Sequence, residues 1–382
     1  MKALRLALVP FALLVVLAAR LGVPLRFGRI WSDRLGHMAG NMECYLCERE
    51  AGLQRGWDFW YHGGEPANKQ LAKMLARVVR VDPTPFARIC DLLNQLFGGK
   101  TIETAQVDRD PLNLYEKQGP HLHFTPSEII RGGSGLQRLG IHLGKPWVYL
   151  IVRDSAKHPQ LPYHSYRNTA IKDYVLAAEA LADRGYYVVR MGKKVAEPFP
   201  SKHPRIIDFA MREPHDDFMA MYLGAHCAFC LSSGTGPDAI PVIFRRPVCY
   251  VNYVPLEYLQ TYHRNSLAIW KHHEKDGKRM TLAEIYASGA GHFMRAEQFE
   301  DAGIKLVDNT PEEIKAAAME MADDVESPQS GITDCMLGVP ANGARQAAFW
   351  DAFPRGVSEF NKRPLHGEIR MRIGSEFLKG YQ

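Results

Sequence analysis

The chain has 382 residues, 46% of them hydrophobic and 23% charged, with 47 Lys and Arg against 42 Asp and Glu. At roughly 150 residues per domain this suggests about two domains, long enough to bury their cores without disulfides or structural metal. The composition excludes a largely disordered chain, and a net charge of +5 spread along the sequence is too diffuse to argue for nucleic acid, while permitting contact with phosphates or an anionic membrane surface.

Leu6 to Ala19 is an unbroken run of fourteen apolar or small residues, preceded by Lys2 and Arg5 and followed by Arg20, Arg26 and Arg29. As a helix it reaches about 21 Å, short of a hydrocarbon core of about 30 Å. If Arg20 snorkels, the stretch extends to Leu25 and just suffices. A cleaved signal peptide, a full span and a re-entrant or monotopic anchor all fit. An uncleaved anchor over residues 1–24 is favoured, because the run leads within a few residues into a core strand, and the arginines suit an anionic cytoplasmic leaflet.

The chain then alternates strand-like and helix-like segments. Leu25 to Trp31 predicts a strand, Ser32 to His37 a polar turn, and Asn41 to Ala51 a helix. A strand over Trp57 to His62, a helix over Ala67 to Arg77 and a strand over Val78 to Asp82 follow. Thr84-Pro85 opens a helix that Gly98-Gly99 closes. The Arg131-Gly-Gly-Ser-Gly135 stretch predicts a turn-rich break and a domain boundary nearby. Beyond it, Trp147 to Val152 is a continuous apolar run, as in a strand buried on both faces of a parallel sheet. A helix from Asn168 to Gly185 precedes strands at Tyr186 to Arg190 and Arg205 to Phe209. A helix from Asp216 leads to strands at Cys227 to Leu231, Val248 to Asn252 and Ile304 to Val307. Thr310-Pro-Glu-Glu313 is a capping box for a helix reaching Asp324, and Lys271 to Lys275 has the pattern of a solvated helix face. The pattern predicts an α/β chain of two Rossmann-like domains facing a cleft.

The main chemical motif is Leu231-Ser-Ser-Gly-Thr-Gly-Pro-Asp-Ala239, after a strand and before a helix. Small residues let backbone amides approach a phosphate, and Ser232, Ser233 and Thr235 add hydroxyls. An ordinary tight turn is the alternative. The spacing also fits a dinucleotide fingerprint, with Glu257 about twenty residues on, although it follows at least three strands rather than the first. The second motif is Arg34-Leu-Gly-His-Met-Ala-Gly-Asn-Met-Glu43, beyond the first strand. There His37 can take a proton from a hydroxyl or simply cap the turn; Asp33 and Glu43 are rival bases. Third, cations follow strands in the second half: Arg153, Arg167, Arg190 and Lys193. Arginine can hold a departing diphosphate with paired hydrogen bonds, whereas Arg245-Arg246 can be plain surface. Seven cysteines include two C-x-x-C pairs, Cys44/Cys47 and Cys227/Cys230, each inside an apolar run, where packing is a better account than zinc.

The segments Val148 to Asp154, Tyr163 to Asn168, Tyr186 to Gly192 and Ser232 to Val248, with the Leu-Gly-His core near the front, resemble a family of bacterial glycosyltransferases found among polysaccharide biosynthesis genes. More broadly the chain resembles GT-B enzymes such as the heptosyltransferases, in which a Leu-Gly-Asp turn carries the base; His37 stands at that position here. The resemblance implies a GT-B architecture. Residues 25–140 would form the acceptor domain, 141–330 the nucleotide-sugar domain, and 331–382 a helical segment folding back on the first domain. It implies a metal-independent transferase using a nucleotide-sugar as donor substrate, with no separate cofactor, and a lipid-linked or oligosaccharide acceptor at the cytoplasmic face of a bacterial inner membrane. The diphosphate would sit on Ser232, Ser233, Gly234, Thr235 and Gly236, with Arg153 and Arg167 neutralising charge, Lys193 nearby, and Asp238 on the ribose or supporting the turn. A nucleotide-sugar epimerase of the same fold and a non-catalytic scaffold of a polysaccharide assembly complex are the alternatives.

Overall fold

A computed structural model describes residues 2–102, 104, 109–156, 162–327, 343–357 and 363–381, the side chains of residues 2–5 excepted. Cys335 and the first part of the expected C-terminal segment lie outside the described residues.

The first lobe is built on strands β1 (Leu25–Ile30) and β2 (Trp57–His62), parallel and paired from Leu25/Trp57 to Ile30/His62. Ile102 bridges to Gly28 on one edge and Val81 to Trp60 on the other. The strand expected at Val78 to Asp82 is reduced to that one bridge, because helix α3 (Lys69–Val78) runs on to Val78. Asn68 caps α3, its Oδ1 accepting from the Leu71 amide at 2.8 Å.

Residues 2–20 form helix α1 (Lys2–Arg20), which packs on β1 and on helix α4 (Phe86–Leu96). Ala12 and Val16 are fully buried there with Phe27 and Cys90. No helix among the described residues is long and apolar enough to cross a membrane, so the spanning form of the expected anchor has no support. One face of the apolar run is instead used to pack on the lobe.

The second lobe holds a seven-stranded parallel sheet in the order β12-β8-β7-β6-β3-β4-β5. These are β3 (Trp147–Ile151), β4 (Tyr187–Met191), β5 (Ile206–Asp208), β6 (Phe229–Ser232), β7 (Val248–Tyr253), β8 (Ser266–Trp270) and β12 (Arg372–Ile373). Every residue of β3, β4, β6, β7 and β8 is buried, which explains their largely apolar sequences. Arg190 of β4 is fully buried, its Nη1 3.1 Å from Asp208 of β5 and 3.1 Å from the Glu197 carbonyl, so this cation belongs to the sheet.

Three expectations change. The Arg131–Gly135 break lies inside helix α5 (Pro126–Arg138), opened by a Thr125/Glu128 capping box. Its glycines serve close packing: a Cβ on Gly132 or Gly135 would collide with Tyr222 or Met219 of the helix Asp217–His226. The Lys271–Lys275 face is strand, β9 (His272–Lys275), paired antiparallel with β10 (Lys278–Arg279) and β11 (Ile304–Val307). Asp276 and Gly277, at φ 52° and 73°, turn the hairpin, and His272 and His273 are buried. Finally, the described part of the C-terminal segment divides. Arg363 and Arg370 pair with Glu48 and Glu116, while β12 joins β8 and the closing helix Ser375–Lys379 packs on the second lobe. The segment folds back only in part, because its apolar residues Ile373, Phe377 and Leu378 find their core in the second lobe.

A cationic inter-lobe cleft as candidate active site

Both sequence motifs end up at the carboxyl ends of parallel strands, and they face each other. Gly36 precedes a π-helical turn, His37–Asn41, that runs into helix α2 (Met42–Glu50). Gly236 lies in the bend after β6. A Cβ built on Gly36 would stand 3.1 Å from the Cα of Gly236, so the lobes touch at these two glycines.

The second bend holds itself together. Asp238 Oδ2 accepts from the Thr235 amide at 2.7 Å and from Ser232 Oγ at 3.0 Å, and the Gly234 amide donates to Ser232 Oγ at 3.1 Å. Ser233 Oγ accepts from the Arg153 amide at 2.8 Å. Ser232, Ser233 and Asp238 are buried, so their side chains brace the bend and do not face the cleft. Asp238 therefore supports the turn, the second of the roles considered for it. Burial pushes its carboxyl up to about 6, against the pull of the Thr235 amide, Ser232, Arg167 and Arg109. Gly234 has φ +71° and lies under the Tyr253 ring, which a Cβ would meet at 2.8 Å. That leaves Thr235 half-buried and Gly236 exposed as the part of the bend a ligand can reach.

Three arginines gather around the bend. Arg167, at the end of the 3-10 turn Pro162–Arg167, donates through Nη2 to the Gly234 carbonyl. Arg153 follows β3 by two residues. Burial and then the Arg167 charge hold its guanidinium down at about 10. The Nε of each is buried without a hydrogen-bond partner among the described residues. Two like charges side by side, with unused donors, are poised for an anion. Arg109 arrives from the first lobe, its Nη1 2.8 Å from the Tyr258 carbonyl and its guanidinium 5.1 Å over the Tyr258 ring. Sequence reasoning missed it, since it lies in an irregular stretch without a motif. Lys193 stands apart, exposed, 3.3 Å from the Ala67 carbonyl and 3.5 Å from Asp217, so it bridges the lobes away from the bend.

On the first lobe, His37 is half-buried and its ring lies 6.1 Å from that of Trp31. The Arg29 guanidinium covers the same indole at 4.8 Å. Trp31 lines a cavity of about 390 Å³ with Arg29, Tyr61, Arg88, Asp91 and Leu92. The cavity sits at the carboxyl ends of β1 and β2, where α/β sheets bind ligands. Asp33, a rival base, is exposed. The other rival, Glu43, is buried and committed to Arg245 (Nη2 at 2.7 Å), removing it from the cleft. Arg245, expected at the surface, lies over the Tyr115 ring at 4.4 Å.

Glu43, Cys47 and His121 form the one group of potential metal ligands among the described residues. Arg245 already supplies a cation there, 3.7 Å from the Cys47 sulfur, and burial followed by the Glu43 charge pushes that thiol up to about 12. The remaining described cysteines are likewise buried, as packing residues should be.

Fold and site together define a two-lobed α/β protein with a cationic cleft between its lobes. No protein-family model matches the chain, and no curated protein matches its sequence. Its structure is similar to a glycosyl transferase family 9 protein from Veillonella parvula (9% identity, 79% of this chain and 97% of that one, TM-score 0.48). It is also similar to the Escherichia coli ADP-heptose lps heptosyltransferase II (12% identity, 78% and 99%, TM-score 0.43) and to the iron-containing dodecameric heptosyltransferase TibC (10% identity, 79% and 77%, TM-score 0.38).

Proposed function

We propose that this chain is a glycosyltransferase, moving a sugar from a nucleotide-sugar donor to a lipid-linked or growing polysaccharide acceptor in bacterial surface glycan biosynthesis. The carrying observation is the meeting of the two bends at Gly36 and Gly236, with Arg153 and Arg167 of the second lobe, Arg109 reaching over from the first, and His37 on the first-lobe bend. The donor diphosphate would lie against the exposed Gly236 backbone and the half-buried guanidinium groups of Arg153 and Arg167. Fixed positive charge there is worth most as negative charge develops on the leaving phosphate. The acceptor hydroxyl oxygen attacks the anomeric carbon, the bond from that carbon to the phosphate oxygen breaks, and its electron pair leaves with the nucleoside diphosphate. His37 takes the hydroxyl proton if configuration inverts. The cavity beside Trp31 would receive the acceptor, and the reaction would run at the cytoplasmic face of the inner membrane.

The test is a thermal-shift screen of the full chain against nucleoside diphosphates and nucleotide-sugars, since a ligand that binds only the folded state raises its melting temperature. At least one nucleoside diphosphate should do so, and Arg167→Ala should abolish the rise. If none does, the reading fails.

A further inference from the structure

The outward side of α1 has no charged residue between Leu6 and Ala19, and nothing among the described residues covers it. Phe11, Leu14 and Leu17 are 64%, 65% and 44% exposed, while Ala12 and Val16 face the lobe. The neighbouring α4 continues the surface: Leu92 and Leu96 are 57% and 77% exposed, and Phe97 after the helix is exposed too. An uncovered apolar surface on two packed helices is unusual for a chain that meets only water.

Charge lies at its edge. At the carboxyl end of α1 a cavity of about 470 Å³ is lined by Arg20, Arg26, Lys100 and Arg363. Arg26 and Arg363 are paired with Asp58 and Glu48, and Arg20 donates to the Asn94 and Phe97 carbonyls, which pins the end of α1 to the end of α4. Lys100 is exposed. The cationic cavity and the cavity beside Trp31 share Thr101 and Ile102 in their walls, and Leu92 belongs both to the second cavity and to the apolar surface. The apolar face, the basic rim and the proposed acceptor entrance are therefore continuous.

We infer that the α1–α4 surface lies flat on an anionic phospholipid bilayer, with the phosphates of lipid head groups taken up at the Arg20–Lys100 rim. An in-plane helix needs no spanning length: its apolar side enters the boundary between head groups and acyl chains while cations beside it meet the anionic surface. The orientation opens the Trp31 cavity toward the lipid, so that an acceptor carried on a lipid enters without leaving the bilayer. This last step rests on the proposed acceptor site; the lipid contact itself does not.

The test is flotation of the full chain with vesicles of phosphatidylcholine alone or mixed with phosphatidylglycerol, with nucleotide binding measured on the same preparations. The protein should float with the mixed vesicles and far less with the neutral ones. Leu14→Glu combined with Leu17→Glu should weaken partition at least about tenfold. Lys100→Glu should weaken it chiefly on the anionic vesicles, and Leu143→Glu, exposed on the far lobe, should leave it unchanged. Because these side chains point outward, the variants should keep the parent melting temperature. A chain that ignores anionic vesicles while still binding nucleotide overturns the inference alone. So does equal partition of the Leu14/Leu17 variant, or a dimer that this variant splits, since a second copy would then be the cover. Vesicle binding without nucleotide binding supports the lipid contact and sinks the transferase reading instead.

Discussion

Gly36 and Gly236 stand back to back across the cleft, each leaving no room for a side chain: a Cβ on Gly236 would lie 3.2 Å from the Gly36 amide nitrogen. Such a contact is too tight to keep but loose enough to relieve by moving the bends a few tenths of an ångström apart. Gly36→Ala and Gly236→Ala should therefore keep the fold, with melting temperatures near the parent's, while turnover falls about tenfold to a hundredfold, since misplaced reacting groups are that costly. Steady-state kinetics beside calorimetry would check it; unchanged turnover in both variants would show that the spacing of the bends is not critical.

Arg153 and Arg167 repel one another. Arg153→Met should thus raise the melting temperature of the ligand-free protein slightly and remove most of the rise that a nucleoside diphosphate produces. A charge-assisted contact of about 1.5–3 kcal/mol corresponds to roughly a tenfold to hundredfold loss of affinity. Titration calorimetry of the parent and variant reads both effects, and an unaltered affinity would place the diphosphate elsewhere.

Asp238 gives a pH signature. Its folded carboxyl titrates near 6, above the ordinary value near 3.9. A raised carboxyl stabilises the folded state below about pH 4, and that contribution disappears as pH rises through 6. Asn can accept the same Ser232 and Thr235 hydrogen bonds without the buried charge. Asp238→Asn should accordingly match the parent near pH 4 and become the more stable protein by pH 7, seen as melting curves that diverge across that window. Parallel curves would contradict the assignment.

Three buried imidazoles work in the opposite sense. Burial holds His263, His273 and His366 down to about 4. In His366, Nε2 lies 2.8 Å from the Glu257 carbonyl and Nδ1 2.9 Å from Thr261 Oγ1, a set of partners that suits the neutral ring. Depressed histidines stabilise fully above about pH 6.5, and the contribution is lost as pH falls toward 4. The advantage of the parent over a His366→Gln variant, read as the difference in their melting temperatures, should therefore shrink as pH falls from about 6.5 to about 4.5.

Glu43, which is buried, and Arg245, which is half-buried, tie the lobes through a pair at 2.7 Å. Arg245→Met leaves Glu43 with His121 alone, whose Nδ1 lies 3.0 Å from the same oxygen, and should cost up to about 3–5 kcal/mol. Urea unfolding should show a loss of that order, and a Glu43→Gln/Arg245→Met double variant should recover part of it.

Strands β3, β4, β6 and β7 were legible because strands covered on both faces are mostly apolar, and the Thr310 cap because its spacing is local, whereas the apolar Ser266–Trp270 of β8 and the two-residue β12 were not. The facing of the two bends was legible too, since both follow parallel strands. What escaped depended on distant partners. Gly132 and Gly135 resemble a turn until Tyr222 and Met219 are placed against them. The polar Lys271–Lys275 stretch has no apolar alternation, although the Asp276-Gly277 pair after it is a hairpin sign. Ser232 and Ser233 have the composition of a phosphate cradle, yet which way a hydroxyl points is set by Asp238 and the Arg153 amide. Arg109 had no local pattern, and only the packing of Tyr258 brings it to the cleft.

Because β12 is the outer neighbour of β8 and is drawn from residues 372–373, the large sheet is finished only late in synthesis, whereas β1, β2 and their flanking bridges are complete by residue 102. A growing polypeptide on the ribosome thus has the front-lobe strands and the greasy helix outside long before Met221, Ile240 and Ile243 can complete their core or the back lobe can close. Early attachment to a surface, or a chaperone standing in for one, would shield that helix during the wait.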